Sequence, residues 1–238
     1  MKKSTLFLTL AALFMVGCGS DSDKKVTLPK PVIVYDFSEF IVPTENKSYI
    51  YAITTYEKND DSEYEENSEL SYYDREYNYE NNSTIIITDD FIDQKIVIAK
   101  NEITIENLFE EQENIFLDRN VSVGDVILSM RVEEARNDLD GVNNVDCTIT
   151  KYLDEKIIAG RNVSNILEQT CISEFNATLD TGFDNLIRED KLKTVTYFSK
   201  DIGEVSFSSE LCILIKTGDT ITTDNCTKVE SELVTNTQ

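Results

Sequence analysis

Alternation with a period of two constrains this chain more than any other feature. Tyr49, Tyr51 and Ile53 alternate, as do Ile103 and Ile105, and Val126, Leu128, Met130 and Val132 alternate with mostly polar positions. Val145, Cys147 and Ile149 repeat the pattern, and so do Val205 and Phe207, then Leu211, Ile213 and Ile215. Ile85, Ile86 and Ile87 sit between two threonines, and Ile96, Val97 and Ile98 form a second β-branched run. Successive side chains of an extended strand point to opposite faces, so such runs can bury one face while wetting the other. Polar turn clusters separate them: Asn81-Asn82, Asp89-Asp90, Asp140-Gly141 and Lys216-Thr217-Gly218-Asp219. The expected fold is mostly β, an antiparallel curved sheet or sandwich built from successive hairpins, with little helix. Folded material is expected from Val32-Ile33-Val34 onward, as a single domain over 32–230 with a possible sub-boundary near 120 and a polar tail at 231–238. Two segments stay open: 107–114 as a helical turn, and 164–175 as either strand or a Ser164-capped helix.

The N-terminus has a different character. Met1-Lys2-Lys3 is basic, and residues 4–16 carry no charge and are mostly apolar. That is a cationic start followed by an apolar stretch of secretory length, too short for a spanning helix of about 20 apolar residues. Met15-Val16-Gly17-Cys18 then resembles the lipobox of bacterial lipoproteins, with Met where Leu is usual. The resemblance implies cleavage after residue 17, a lipidated Cys18, and a tether over 18–31 that ends in an extended segment around Pro29 and Pro31. Acyl chains add about 0.8 kcal/mol per buried methylene, and several chains anchor where one does not. Gly19 after the cysteine, rather than Asp, implies the outer membrane by analogy with Gram-negative lipoproteins. Cleavage would remove Lys2 and Lys3 and no acid, taking the net charge from −23 to −25. An anionic membrane surface repels such a domain, so only the lipid would hold it there.

Of five cysteines, Cys18 accounts for one. Cys147, Cys171, Cys212 and Cys226 remain, an even set suited to an oxidising compartment. They allow three connectivities. The favoured one is Cys147–Cys171 with Cys212–Cys226, because each pair falls on neighbouring strands or on a strand and its following loop.

Composition excludes more than it assigns. The chain has no histidine, so no Ser-His-Asp triad, Cys-His pair or His-ligated metal can form. A net charge of −23 is unsuited to phosphate-backbone contacts, so no nucleic-acid partner is expected. No glycine-rich phosphate loop exists, since Gly19 and Gly124 bracket a stretch without glycine. No catalytic residue and no cofactor is assigned, and the chain is read as a non-enzyme. A calcium candidate exists at Asp138, Asp140 and Asn143 around a D-x-D-G core, whose alternate oxygen ligands and glycine suit a hard cation. In an EF-hand frame the first ligand position falls on Arg136 and the twelfth on Cys147, so both fail. A hairpin loop rich in Asx and Gly accounts for the same residues.

Eight of the eleven tyrosines lie between Tyr49 and Tyr79, and the densest acidic run spans 57–80. The first half of that run reads as a solvated loop. In the second, Tyr73, Tyr77 and Tyr79 stripe one face of a strand, with the tyrosines expected at its rim. The alternative is a surface for cationic ligands or partners, through carboxylates and aromatic faces.

Farther on, Ile157-Ile158-Ala159-Gly160-Arg161 precedes Ile166-Leu167-Glu168-Gln169-Thr170-Cys171, and Val195-Thr196-Tyr197-Phe198-Ser199-Lys200-Asp201-Ile202-Gly203 follows. These residues resemble a pattern of bacterial cell-envelope lipoproteins over roughly 145–227, departing at Ser199 and Asp201. The resemblance implies a curved antiparallel β-domain and makes 166–175 a strand. It implies no activity. The chain is therefore expected to be a membrane-anchored envelope lipoprotein with a structural or protein-interaction role and an envelope protein as partner. The alternative is a module that binds a lipid or acyl chain in a concave sheet. A deep apolar cavity would favour the second, and a filled core with an open strand edge the first.

Overall fold

The computed structural model describes residues 32–58, 63–66, 70–90, 93–108, 114–136, 139–180 and 185–237. Cys18, the apolar N-terminal stretch and the tether lie outside the described residues, as do Asp138, most of 107–114 and parts of the acidic loop. From Val32 onward the chain forms one compact unit, so no boundary falls near residue 120.

The described residues form fifteen strands and one short helix. They are β1 (Tyr35–Asp36), α1 (Ser38–Ile41), β2 (Lys47–Lys58), β3 (Tyr64–Glu66), β4 (Ser71–Asn81), β5 (Thr84–Thr88), β6 (Asp93–Ile98), β7 (Glu102–Asn107) and β8 (Ile115–Asp118). Then come β9 (Asn120–Val121), β10 (Val126–Arg136), β11 (Leu139–Ile158), β12 (Arg161–Asp180), β13 (Asn185–Ser199), β14 (Gly203–Thr217) and β15 (Thr220–Thr237). All pairings are antiparallel, and the spatial order is β10-β11-β12-β13-β14-β15-β2-β4-β5-β6-β7-β8, with β3 on β2. Nearly every neighbour in space is therefore a neighbour in sequence, as hairpin chemistry dictates. The exceptions among the described residues are β15 on β2, which joins strands far apart in sequence, and the separate β1–β9 pair. β8 and β10 approach each other without pairing, so the sheet curls into a nearly closed barrel with one open seam.

The curved-sheet expectation holds, and 166–175 is strand as the resemblance implied. Three readings change. Val32, Ile33 and Val34 are exposed and form no strand, so among the described residues regular structure begins at Tyr35. The 231–238 tail is instead the end of β15, where Leu233 opposes Tyr51 and Asn236 opposes Tyr49. Ser231 is fully buried, its Oγ 3.0 Å from the Tyr73 hydroxyl, so a polar residue here joins the core by finding a partner. Asp140-Gly141 is not a turn either. It lies inside β11, opposite Ala135 and Glu134.

The core lies inside the barrel. Tyr49, Tyr51, Tyr73 and Tyr77 of β2 and β4, Ile85 and Ile87 of β5, Ile96 of β6, Ile103 of β7 and Leu117 of β8 are buried there. Phe37, Phe40, Ile41 and Val42, in and around α1, pack against the same cluster. Burying one such side chain contributes about 1.5–3 kcal/mol before entropy is counted. The Phe37 amide donates to the Arg119 carbonyl at 2.7 Å, and Tyr35 opposes Val121 in the β1–β9 pair. Arg119 grips Asp36 with Nε at 2.9 Å and Nη2 at 2.6 Å, while Asp36 Oδ1 accepts from the Ser38 amide at the start of α1.

β2 ends opposite Thr227, so β10–β15 run on beyond it as a sheet extension with its own small cluster of Leu139, Phe175 and Ala177, flanked by Leu186.

Candidate functional site

The face alternation of β2 and β4 places four tyrosines and one cation inside the barrel. On β4, Tyr73, Arg75 and Tyr77 are buried while Tyr72, Asp74 and Glu76 are exposed. The tyrosine stripe is thus neither a rim nor a surface for external cations, because the barrel closes over it. The cation that meets these rings is the chain's own. Arg75 Cζ lies 5.1 Å from the Tyr51 ring centre and 5.6 Å from that of Tyr73, and the two rings stack at 5.1 Å.

Arg75 is 5% exposed and has two carboxylates, Asp89 just past the neighbouring β5 and Glu204 on the distant β14. Its Nε donates to Asp89 Oδ2 at 2.6 Å, and the Asp89 side chain is fully buried. Its Nη1 lies 3.0 Å from Glu204 Oε1, at the start of β14. That contact lacks hydrogen-bond alignment, and Oε1 has no hydrogen-bond partner among the described residues. Burial, the largest single effect, works against the guanidinium charge, but the Glu204 carboxylate and the Tyr77, Tyr51 and Tyr73 side chains together outweigh it and hold the Arg75 pKa above its ordinary value. Burial likewise pushes Tyr49 and Tyr73 up to about 12 and Tyr51 well above its usual range. The Tyr51 hydroxyl donates to the Glu204 carbonyl at 2.7 Å, which fixes the backbone that carries the carboxylate.

Beside this cluster is a cavity of about 220 Å³. Ile115, Leu117 and Leu128 form its seam side and Phe37 and Ile41 its plug side, while Arg75, Glu204, Gln94 and Gln169 are the polar lining.

The seam leaves an edge. Cys147 and Cys171 are directly opposed with Cα atoms 4.0 Å apart, the spacing of a pair that exchanges no backbone hydrogen bonds. Cys147 therefore directs its amide and carbonyl to the other side, toward its β10 partner Leu128. Along β10 the next residues alternate, so Ser129, Arg131, Glu133 and Ala135 direct theirs away from β11, to the edge.

Both predicted cysteine pairs are formed. Register puts them on opposite faces of the sheet. Cys171 aligns through Thr194 with Ser209, and Cys212 is three residues on, an odd step. Of the calcium candidates, Asp140 is exposed and Asn143 is buried on the other face of β11, where its Oδ1 accepts from Ser173 Oγ at 2.7 Å. The regular strand separates them, and Asp138 lies outside the described residues. Among the described residues no group of three or more Cys, Asp or Glu is placed to hold a metal.

Arg75 and Glu204 were invisible to sequence reasoning. The one signal for Arg75 is its place, two residues from Tyr73 and Tyr77 in an alternating strand, which puts a cation on the inward face. No protein-family model, no curated protein and no solved structure matches this chain.

Proposed function

We propose that this chain is a lipid-anchored cell-envelope protein that works as a protein-interaction module, receiving an extended segment of a partner along β10. The observation that carries this reading is the open edge at the seam. Four successive outward-facing positions, Ser129, Arg131, Glu133 and Ala135, offer backbone donors and acceptors on an eleven-residue strand, while β8 across the seam has four residues. Unpaired edges are templates for strand addition, which supplies affinity through the main chain. The lipobox and the acidic, histidine-free composition support the anchoring and the absence of catalysis. The acyl-chain alternative has less support. The barrel is filled by tyrosines, isoleucines and the α1 plug, and about 220 Å³ is below the ~300 Å³ where ligand pockets begin.

A photo-crosslinking residue at Glu133, in the full chain in its native membranes, tests this. The expected result is one discrete adduct, lost when Arg131→Pro removes an edge donor. No adduct from Glu133, or adducts in equal yield from a crosslinker at exposed Asn225, would contradict it. Cys18→Ala should release the protein from membranes, and undiminished membrane association would remove the lipid from the account.

A further inference from the structure

We propose that the partner received along β10 is a second copy of this chain, whose own β10 pairs antiparallel with it about a two-fold axis at Val132. This rests on the strand-addition reading above and names the occupant of that edge.

Position comes first. The row of strand partners that starts at Met130 reaches β2 at Glu57, one residue before that strand ends. Arg131 to Arg136 therefore lie on the sheet extension, past the barrel wall. Leu128 is the β10 residue that shares the cavity with Ile115 and Leu117, so β8 sits beside the start of β10. Backbone pattern comes second. Ser129, Arg131, Glu133 and Ala135 direct amide and carbonyl to the edge, so in a self-pair they oppose only one another. An axis at Val132 sets Arg131 against the second copy's Glu133 and Ser129 against its Ala135, and each such pair exchanges two hydrogen bonds. Charge comes third. Arg131 and Glu133 are exposed and, within the chain, face uncharged Asn144 and Val142 on β11. Glu134 and Arg136, on the other face, are already paired with each other. The axis at Val132 brings Arg131 and Glu133 together twice, and opposite charges in register stabilise a strand pair. Moving the axis to Arg131 or Glu133 puts two arginines or two glutamates face to face. Val126–Arg136 carries two arginines and two glutamates in a chain of net charge −23, so the edge itself adds no repulsion between copies. Lysine, proline and bulges, which block edges elsewhere, are missing between Ser129 and Ala135. One strand pair is a small contact of the weak, transient kind, so the edge is open in dilute chain and fills as concentration rises.

The test uses the full chain with detergent micelles in excess. Amide exchange at Ser129, Arg131, Glu133 and Ala135 should be fast in dilute chain and slow as chain concentration rises, with Leu128 and Met130 unchanged. Val132→Cys should oxidise to a disulfide-linked dimer, because position 132 meets itself in a pair without backbone hydrogen bonds, its Cα atoms about 4.5 Å apart. Met130→Cys, set against the second copy's Glu134, should not. Arg131→Glu and Glu133→Arg should each weaken self-association by about tenfold, and mixing the two variants should restore it, since each supplies the charge the other lacks. Exchange independent of concentration, or equal dimer yields from Val132→Cys and Met130→Cys, would overturn the self-pairing. The photo-crosslink at Glu133 separates this inference from the reading it rests on. An adduct of twice the chain mass supports the second copy. A discrete adduct of another mass would overturn it and leave strand addition standing, and no adduct would overturn both.

Discussion

Two buried arginines mark two ways of placing a cation inside this sheet. Arg75 sits in the main core, ringed by tyrosines, and its carboxylates come from residues 14 and 129 positions away. Arg188 sits on the sheet extension, and its carboxylate is Asp190, the next residue on the same face of the same strand. Arg188 Nε and Nη2 donate to Asp190 at 2.9 Å each, and Arg136 of β10 adds a third donor at 3.0 Å. Arg136 also covers Phe175, its Cζ 4.6 Å from the ring centre, which lets an aromatic side chain be fully buried outside the barrel. The extension is thus built from local pairs that the strand itself supplies. The core cluster exists only once the barrel has closed.

Four measurements separate the barrel core from the sheet extension. Alkaline pH should have the largest effect, and in the barrel. Folding keeps Tyr49, Tyr51, Tyr73 and Tyr77 neutral, with pKa values raised chiefly by burial, to about 12 for Tyr49 and Tyr73. A raised folded pKa contributes stability that is fully present below the unfolded value near 10 and is lost as pH rises through 12. Tyrosinate absorbance and ellipticity should therefore change together in one cooperative step in that window. Separate, gradual ionisation with the fold intact would contradict the buried cluster.

Next comes Arg75→Met, which takes the guanidinium away from the Asp89 and Glu204 carboxylates and should cost about 3–5 kcal/mol in denaturant unfolding. Arg188→Met leaves Asp190 with Arg136 and should cost clearly less, and equal costs would erase the distinction. Replacing Cys147 and Cys171 together by serine should cost about 3 kcal/mol. The Cys212–Cys226 pair should cost a few tenths less, because its sequence separation is 14 against 24. The smallest effect belongs to Gly141→Ala. A Cβ there would meet Phe175 Cε2 at 2.5 Å and the Asn176 carbonyl at 2.6 Å, so both the ring and the β12 backbone must move, at about 1–3 kcal/mol. No loss would mean that Phe175 is not packed against that backbone.

Local pattern made much of the fold legible, and long-range placement hid the site. Alternation at Tyr49-Tyr51 and Leu211-Ile213-Ile215 marked strands because the pleat is a local property. The Lys216-Thr217-Gly218-Asp219 turn was legible in the same way: Thr217 opposes Thr220 across a two-residue connection in which Gly218 adopts positive φ. Asp140-Gly141 misled because its glycine serves Phe175 across the sheet rather than a bend. Ser231 to Thr237 read as a tail because hydroxyls and amides hide a strand whose partner, β2, is far away in sequence. α1 went unread because four residues leave no helical period to detect. Glu204 was one acid among many until barrel closure set it against Arg75.

The central claim is a filled barrel, closed everywhere except along one seam. Residue-resolved amide hydrogen exchange on the purified full chain tests it directly. The account predicts fast exchange at Ser129, Arg131, Glu133 and Ala135, with strong protection at Leu128 and Met130 on the same strand and throughout the paired centres of β11 to β14. Uniform protection along β10 would mean that the seam is closed and that no edge is available to a partner.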